Sequence, residues 1–181
     1  MINKRVWTLW FTGLHGSGKT TITNSLVRQL RKKNIPVVVL DGDEVRKNIS
    51  SDLGYSLEER NKHLKRVAGM CKIINTNGIL CIAAVASPTE SSRKYAKKLL
   101  DNFFLAYIKC PLEICKKRDV KGHYKKAALR KPGFKHFSKG TLDFEEPKSP
   151  DIILETNKES KEDSVNKLIS KLKEKGIIWD K

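Results

Sequence analysis

Apolar residues come along this chain in two rhythms. Predominantly apolar runs of four to seven residues recur at 6–11, 35–40, 79–85, 104–109 and 151–154. They lack the in–out alternation of a half-exposed strand, so they are predicted to be strands buried on both faces. Between them lie stretches in which apolar residues return every three or four positions. At 20–33, Ile22, Leu26 and Leu30 alternate with Arg28, Arg31, Lys32 and Lys33. The 57–76 stretch is the clearest helix, and 89–101 and 158–175 follow the same period. Pro111 is expected to open a short helix at its first turn. Residues 119–147 hold Gly, Pro, Lys and the aromatics Tyr124, Phe134, Phe137 and Phe144 without steady periodicity, as an ordered loop or lid would. Five strands alternating with helices predict an α/β fold: a five-stranded parallel sheet covered on both faces, a three-layer sandwich in one domain over 1–181.

The first strand ends in chemistry. Gly13-Leu14-His15-Gly16-Ser17-Gly18-Lys19-Thr20 satisfies G-x-x-x-x-G-K-[ST], with a strand before it and a helix after it. Glycines let backbone N–H groups curl around phosphate oxygens, and the helix N-terminus adds the positive end of its dipole. Lys19 can reach the outer phosphates of a nucleoside triphosphate, and the Thr20 hydroxyl can ligate Mg²⁺. A nucleoside triphosphate with Mg²⁺ is therefore expected, on a P-loop kinase-like fold. The motif does not identify what receives the phosphoryl group.

The second strand runs into Asp41-Gly42-Asp43-Glu44-Val45-Arg46. Carboxylates at the C-terminal end of a parallel strand sit where open α/β sheets bind ligands. One there can take a proton from an acceptor hydroxyl, and another can hold magnesium through water. Either Asp41 or Asp43 can also serve as the N-cap of the helix that follows. On the 57–76 helix, Leu57, Leu64, Val67, Ala68, Cys71 and Ile74 share one arc, while Glu58, Lys62, Lys65, Arg66 and Lys72 share the other. Arg60 lands within the apolar arc and His63 at its edge. An inward guanidinium requires an anion, either a ligand phosphate or an internal partner such as Asp43 or Asp52. The third strand ends at Ser87-Pro88, where Ser87 either contacts substrate or caps the next helix with Pro88 in the first helical position.

Composition narrows the field without deciding it. Apolar residues are 39% and charged residues 31%, as in globular proteins, and no apolar run approaches the ~20 residues of a membrane helix. No secretion signal is visible at the start, so a cytoplasmic protein without a membrane partner is expected. Cys71, Cys81, Cys110 and Cys115 form no C-x-x-C pair and are expected to be buried, reduced thiols. The net charge of +17 suits anionic partners, nucleotides or nucleic acid, and is also what lysines on solvated helix faces produce. An RNA-binding GTPase is disfavoured, because Ile108-Lys109-Cys110-Pro111 stands where a guanine-reading N-K-x-D would follow the fourth strand.

Together the motifs resemble one family, the adenylylsulfate kinases. The matching stretches are GLHGSGKT at 13–20, LDGDEVRKNI at 40–49, DLGYSLEERNKHLKRVA at 52–68, SP at 87–88, RDVKGHYKKA at 118–127 and EEP-x-x-P at 145–150. The resemblance implies transfer of the ATP γ-phosphoryl group to the 3′-hydroxyl of adenosine 5′-phosphosulfate, in sulfate assimilation, by a homodimer that binds no nucleic acid. It implies that Asp43 activates the hydroxyl, with Lys19 and Ser87 also catalytic. Arg46, Arg60 and His63 are then substrate-binding residues. Tyr55 and Phe137 become an aromatic clamp on the substrate's adenine, and Lys121 closes over the site. Four features depart from the family pattern: His63 where Asn is common, Thr89-Glu90 where Tyr and a cation are common, Phe137-Ser138-Lys139 in place of F-T-G, and a longer segment between Lys121 and Phe137. They leave open a kinase of the same fold with a different nucleotide or sugar acceptor.

Overall fold

The computed structural model describes residues 6–119, 122–129 and 144–178. Five parallel strands form one sheet in the order β2-β3-β1-β4-β5, with β1 (Thr8–Thr12) in the middle, β3 (Leu80–Ala84) and β2 (Val37–Asp41) on one side, and β4 (Phe103–Lys109) and β5 (Ile152–Glu155) on the other. The chain leaves β1 toward β2 and β3, then crosses to β4. The two neighbours of β1 are therefore reached in opposite directions, which opens a crevice at its carboxyl end. The registers Phe11↔Ala84, Asp41↔Ala84 and Phe11↔Ala106 set these strand ends on one rim.

The period-2 geometry of β1 explains the layers. Leu9 and Phe11 point to one face and pack with Ile22, Leu26 and Leu30 of α1 (Lys19–Lys32) and with Val165, Leu168 and Leu172 of α7 (Lys161–Glu174). Trp10 points to the other face, among Leu64, Val67, Ala68 and Cys71 of α3 (Leu57–Thr76) and Ala96 of α4 (Glu90–Leu99). Three short helices complete the order: α2 (Gly42–Ile49), α5 (Leu112–Arg118) and α6 (His123–Ala128). The result is the expected three-layer α/β sandwich. All four cysteines are buried and unbridged, with Cys71 and Cys81 in contact across α3 and β3. Among the described residues no helix is long and apolar enough to cross a membrane.

Several local expectations are corrected. Leu57 is 49% exposed rather than part of the buried arc, because the first residue of α3 projects beyond the sheet. The cap of α4 is the Thr89 side chain, which accepts from the Ser92 N–H, so neither Ser87 nor Pro88 starts that helix. Pro111 occupies the cap position of α5 rather than its first turn. Most of the anticipated lid lies outside the described residues, but α6 is a helix within it, held by the Asp119 carboxylate accepting from the Tyr124 and Lys125 N–H groups.

Candidate active site

The phosphate loop leaves β1 at the middle of the sheet. Its backbone departs from ordinary conformations where it must: Gly13, Gly16 and Gly18 have φ of 150°, 75° and 100°. A Cβ on Gly13 would stand 2.4 Å from the Ile108 carbonyl oxygen, and one on Gly16 would stand 2.7 Å from that of Cys115. The loop is thus pressed against β4 and α5, and only glycine fits. Ser56, Thr89, Ser160 and Asp41 cap their helices with side chains, but α1 has Gly18 at its cap position and no side-chain cap. Its first N–H groups face the cradle, as phosphate binding requires. The Lys19 ammonium donates to the Gly13 and Leu14 carbonyls at 2.8 Å each, inside the loop it serves.

From the neighbouring rim come the carboxylates. Asp41 is the N-cap of α2, accepting from the Asp43 N–H at 2.9 Å, and its other oxygen accepts from the Thr20 hydroxyl at 3.2 Å. That assignment leaves Asp43 in the first turn of α2, lining the cleft. Arg46, one turn on, donates to the Gly54 carbonyl at 2.8 Å and lies 4.7 Å over the Tyr55 ring. Burial lowers the affinity of Arg46 for its proton, and Tyr55, Asp43 and Glu59 oppose that shift. The 54–56 segment is itself fastened, since Glu59 accepts from the Gly54 N–H and closes a capping box with Ser56.

A cleft of about 690 Å³ joins these parts, lined by the phosphate loop together with Asp43, Arg46, Tyr55, Arg60, His63 and Ser87. Arg60 faces this cleft; of its two proposed internal partners, Asp52 is occupied elsewhere, taken by Arg66 in a two-pronged ion pair. His63 is only 5% exposed and shares a hydrogen bond with Ser50 Oγ at 3.1 Å. Burial, then the positive charge of Arg46, brings its pKa down to about 4, so it is neutral at physiological pH. Ser87 is 1% exposed and has a φ of 35°. Its hydroxyl accepts from the Trp10 indole at 3.0 Å and donates to Thr12 Oγ1 at 2.8 Å. Such a hydroxyl acts as a strut between β1 and the rim. Lys121 and Phe137 lie outside the described residues.

The profile of the adenylylsulphate kinase family matches residues 5–155. The chain belongs to the adenylylsulfate kinase family. It is 39% identical over 178 residues to the adenylyl-sulfate kinase of Halothermothrix orenii, covering 98% of this chain and 95% of that one. It is 42% identical over 163 residues to that of Bacteroides thetaiotaomicron, covering 89% and 80%. Among solved structures it resembles the Mycobacterium tuberculosis APS kinase in complex with AMPPNP and APS, with a TM-score of 0.83 and 31% identity over 93% of this chain and 98% of that one. A gluconokinase from Sinorhizobium meliloti, at 10% identity and a TM-score of 0.65, shares the fold alone.

Within this adenylylsulfate kinase site the structure adds residues that reading the sequence had missed. Arg118 donates to the Thr156 hydroxyl and carbonyl at 3.2 and 2.8 Å, and Thr156 Oγ1 donates to the Ser17 carbonyl at 2.7 Å. This ties the loops after β5 and α5 to the phosphate loop and walls the donor end of the cleft. The Tyr124 hydroxyl donates to the His15 carbonyl at 3.0 Å, and burial keeps that phenol protonated well above its ordinary range. The rings of His15 and His123 lie 4.8 Å apart. No spacing rule joins these pairs. The one available signal was the R-D-x-x-G-x-Y stretch at 118–124, noticed as a family match and not as a partner of the loop.

Proposed function

We propose that this chain transfers the γ-phosphoryl group of ATP to the 3′-hydroxyl of adenosine 5′-phosphosulfate, giving 3′-phosphoadenylylsulfate, a step of sulfate assimilation. The observation that carries the reading is the single cleft in which the phosphate loop and an acidic, arginine-bearing wall share one rim of the sheet. ATP fits the residues present: a cradle in which Gly13 and Gly16 have no room for a Cβ, an uncapped helix start and a lysine within the loop. Mg²⁺ fits the paired Thr20 hydroxyl and Asp41 carboxylate, and it would offset charge on the outer phosphates.

Phosphoryl transfer passes through a loose transition state, so the protein chiefly positions groups and balances charge. Asp43, at the rim beside the loop, orients the acceptor hydroxyl and takes its proton. Arg46 and Arg60 grip the phosphosulfate. Tyr55, fixed under Arg46, supplies a flat surface for the acceptor base, and Phe137 is assigned the opposite face. Ser87 acts as a positioning residue through its bonds to Trp10 and Thr12 rather than through its hydroxyl on substrate. His63, buried and neutral, supports the acceptor wall from behind. Lys121 is assigned to the closed form of the site. A homodimer is the assembly proposed.

Glu90 stands where a cation is common in the family. Its carboxylate pairs with Arg93 at 2.8 Å, and it is absent from the lining of the cleft. The reversed charge is thereby neutralised away from the anionic substrate, which supports adenylylsulfate over an uncharged acceptor. Incubation with Mg·ATP and an acceptor panel, with identification of the product, tests the proposal. Adenylylsulfate is expected to be preferred. Asp43→Ala is expected to lower kcat by about 10²–10⁴ and Lys19→Ala by about 10²–10³. Equal turnover on a sugar or another nucleotide, or an Asp43→Ala variant with undiminished turnover, would overturn it.

A further inference from the structure

The mechanism above does not use the two histidines that meet across the phosphate loop. His15 is a loop residue whose side chain lines the cleft, and His123 is the first residue of α6. Their rings are tilted 45° with centroids 4.8 Å apart. The Tyr124 hydroxyl on the His15 carbonyl and the Asp119 carboxylate at the start of α6 hold the two segments in this register. Among the described residues, the charged groups that bear on His15 are Lys19 of α1, Asp43 of α2, Arg60 of α3 and His123 of α6. The imidazole lines the same cleft as the phosphate loop, Asp43 and Arg60.

We propose that the His15 imidazole, backed by His123, is a phosphate-binding group of this site that takes up one proton from solvent as nucleotide phosphate enters. The inference rests on the donor half of the proposed function and deepens it. Electrostatics supports it in both states. Burial, then Lys19 and His123, hold His15 well below the ordinary histidine range, while Asp43 pulls the other way. A bound triphosphate places several negative charges beside the same ring, reversing the local field and favouring imidazolium. The proton comes from bulk water on binding and returns there on product release, so the net reaction is unchanged. His123, tilted 45° against His15, adds a second ring at the cleft and holds α6 against the loop.

The sign of the effect follows from linkage. A ligand that binds the protonated form better gains affinity as pH falls toward the value of the free group. Between about pH 8 and about pH 6 the affinity for a non-hydrolysable ATP analogue is expected to rise by about threefold to tenfold more in the wild type than in His15→Asn. The test is titration calorimetry with Mg·AMPPNP in two buffers of different ionisation enthalpy, which counts the protons exchanged. The analogue's own ionisation is common to both proteins and cancels in the difference. The wild type is expected to take up more protons than His15→Asn near pH 6.5, with His123→Gln intermediate. Thermal denaturation of each variant shows that it is folded. Equal proton exchange in wild type and His15→Asn across this range, or net release in the wild type relative to the variant, would overturn the inference. Turnover with adenylylsulfate is scored separately. Lost proton uptake with intact turnover removes only this inference, and intact uptake without turnover removes only the acceptor assignment.

Discussion

At the scale of single residues, the site depends on groups kept in states that water would not favour. His63 is held neutral, with its pKa brought down to about 4 by burial and Arg46, while an unfolded histidine titrates near 6.5. The unfolded chain thus binds a proton that the folded one refuses. The contribution is fully present above about pH 6.5 and is lost as pH falls toward about 4. The wild type is expected to lose about 2 kcal/mol between pH 7 and pH 5 from this residue. His15 adds a loss of the same sign. Urea denaturation at the two pH values checks this, with His63→Asn expected to show a shallower decline. Gly16 is a second such position. Its φ of 75° and the Cys115 carbonyl 2.7 Å from a built Cβ leave no place for a side chain. Gly16→Ala is expected to cost about 1–3 kcal/mol in stability and to weaken ATP-analogue binding, both measurable by denaturation with and without the analogue.

At the scale of elements, α4 does more than cover the sheet. Arg93 is 2% exposed, and its guanidinium donates to the Ser87 carbonyl at 2.8 Å, the Glu145 carbonyl at 2.7 Å and the Glu90 carboxylate at 2.8 Å. Phe144 lies beneath it, stacked on Tyr107 of β4. One side chain thereby joins the segment after β3, the start of α4 and the 144–146 segment, and it holds Ser87 in its positive φ. Arg93→Met is expected to cost about 3–5 kcal/mol, since it leaves a carboxylate and two carbonyls without their donor. Arg93→Lys is expected to recover only part, because one ammonium cannot span three acceptors. Denaturant midpoints of both variants check it. The central strands β1, β3 and β4 were legible because they are buried on both faces, so their runs are almost wholly apolar. The α3 helix was legible to the residue, its start set by the Ser56–Glu59 capping box. The six-residue α6 was not: its Lys-rich sequence has no apolar period, and what holds it is Asp119 and the contact with His15, both tertiary.

At the scale of the whole molecule, a sequence shows what is contiguous and hides what topology assembles. The phosphate loop was legible because its eight residues follow one another. Thr20 with Asp41, Ser17 with Thr156 and His15 with His123 were not, since each pair meets only when β1 lies between β3 and β4. The net charge of +17 is likewise a property of the molecule whose effect depends on placement. Lys125 and Lys126 are exposed on α6, whose first residues line the cleft. Lys32 and Lys33 lie at the far end of α1, about 20 Å from the loop by helix rise. Fields from exposed charges fade over roughly 10 Å at 0.1 M salt. Of these two pairs, only the first therefore draws polyanionic substrates to the cleft. Raising KCl from about 50 mM to about 500 mM is expected to increase both substrates' KM by about threefold to tenfold, with kcat little changed because bound phosphates are shielded from salt. The charge-reversed variant Lys125→Glu with Lys126→Glu is expected to show a raised KM at low salt and a flattened salt response. Lys32→Glu with Lys33→Glu changes the net charge equally and is expected to leave both untouched. Steady-state kinetics of the two double variants across the salt series decides whether position or total charge governs capture.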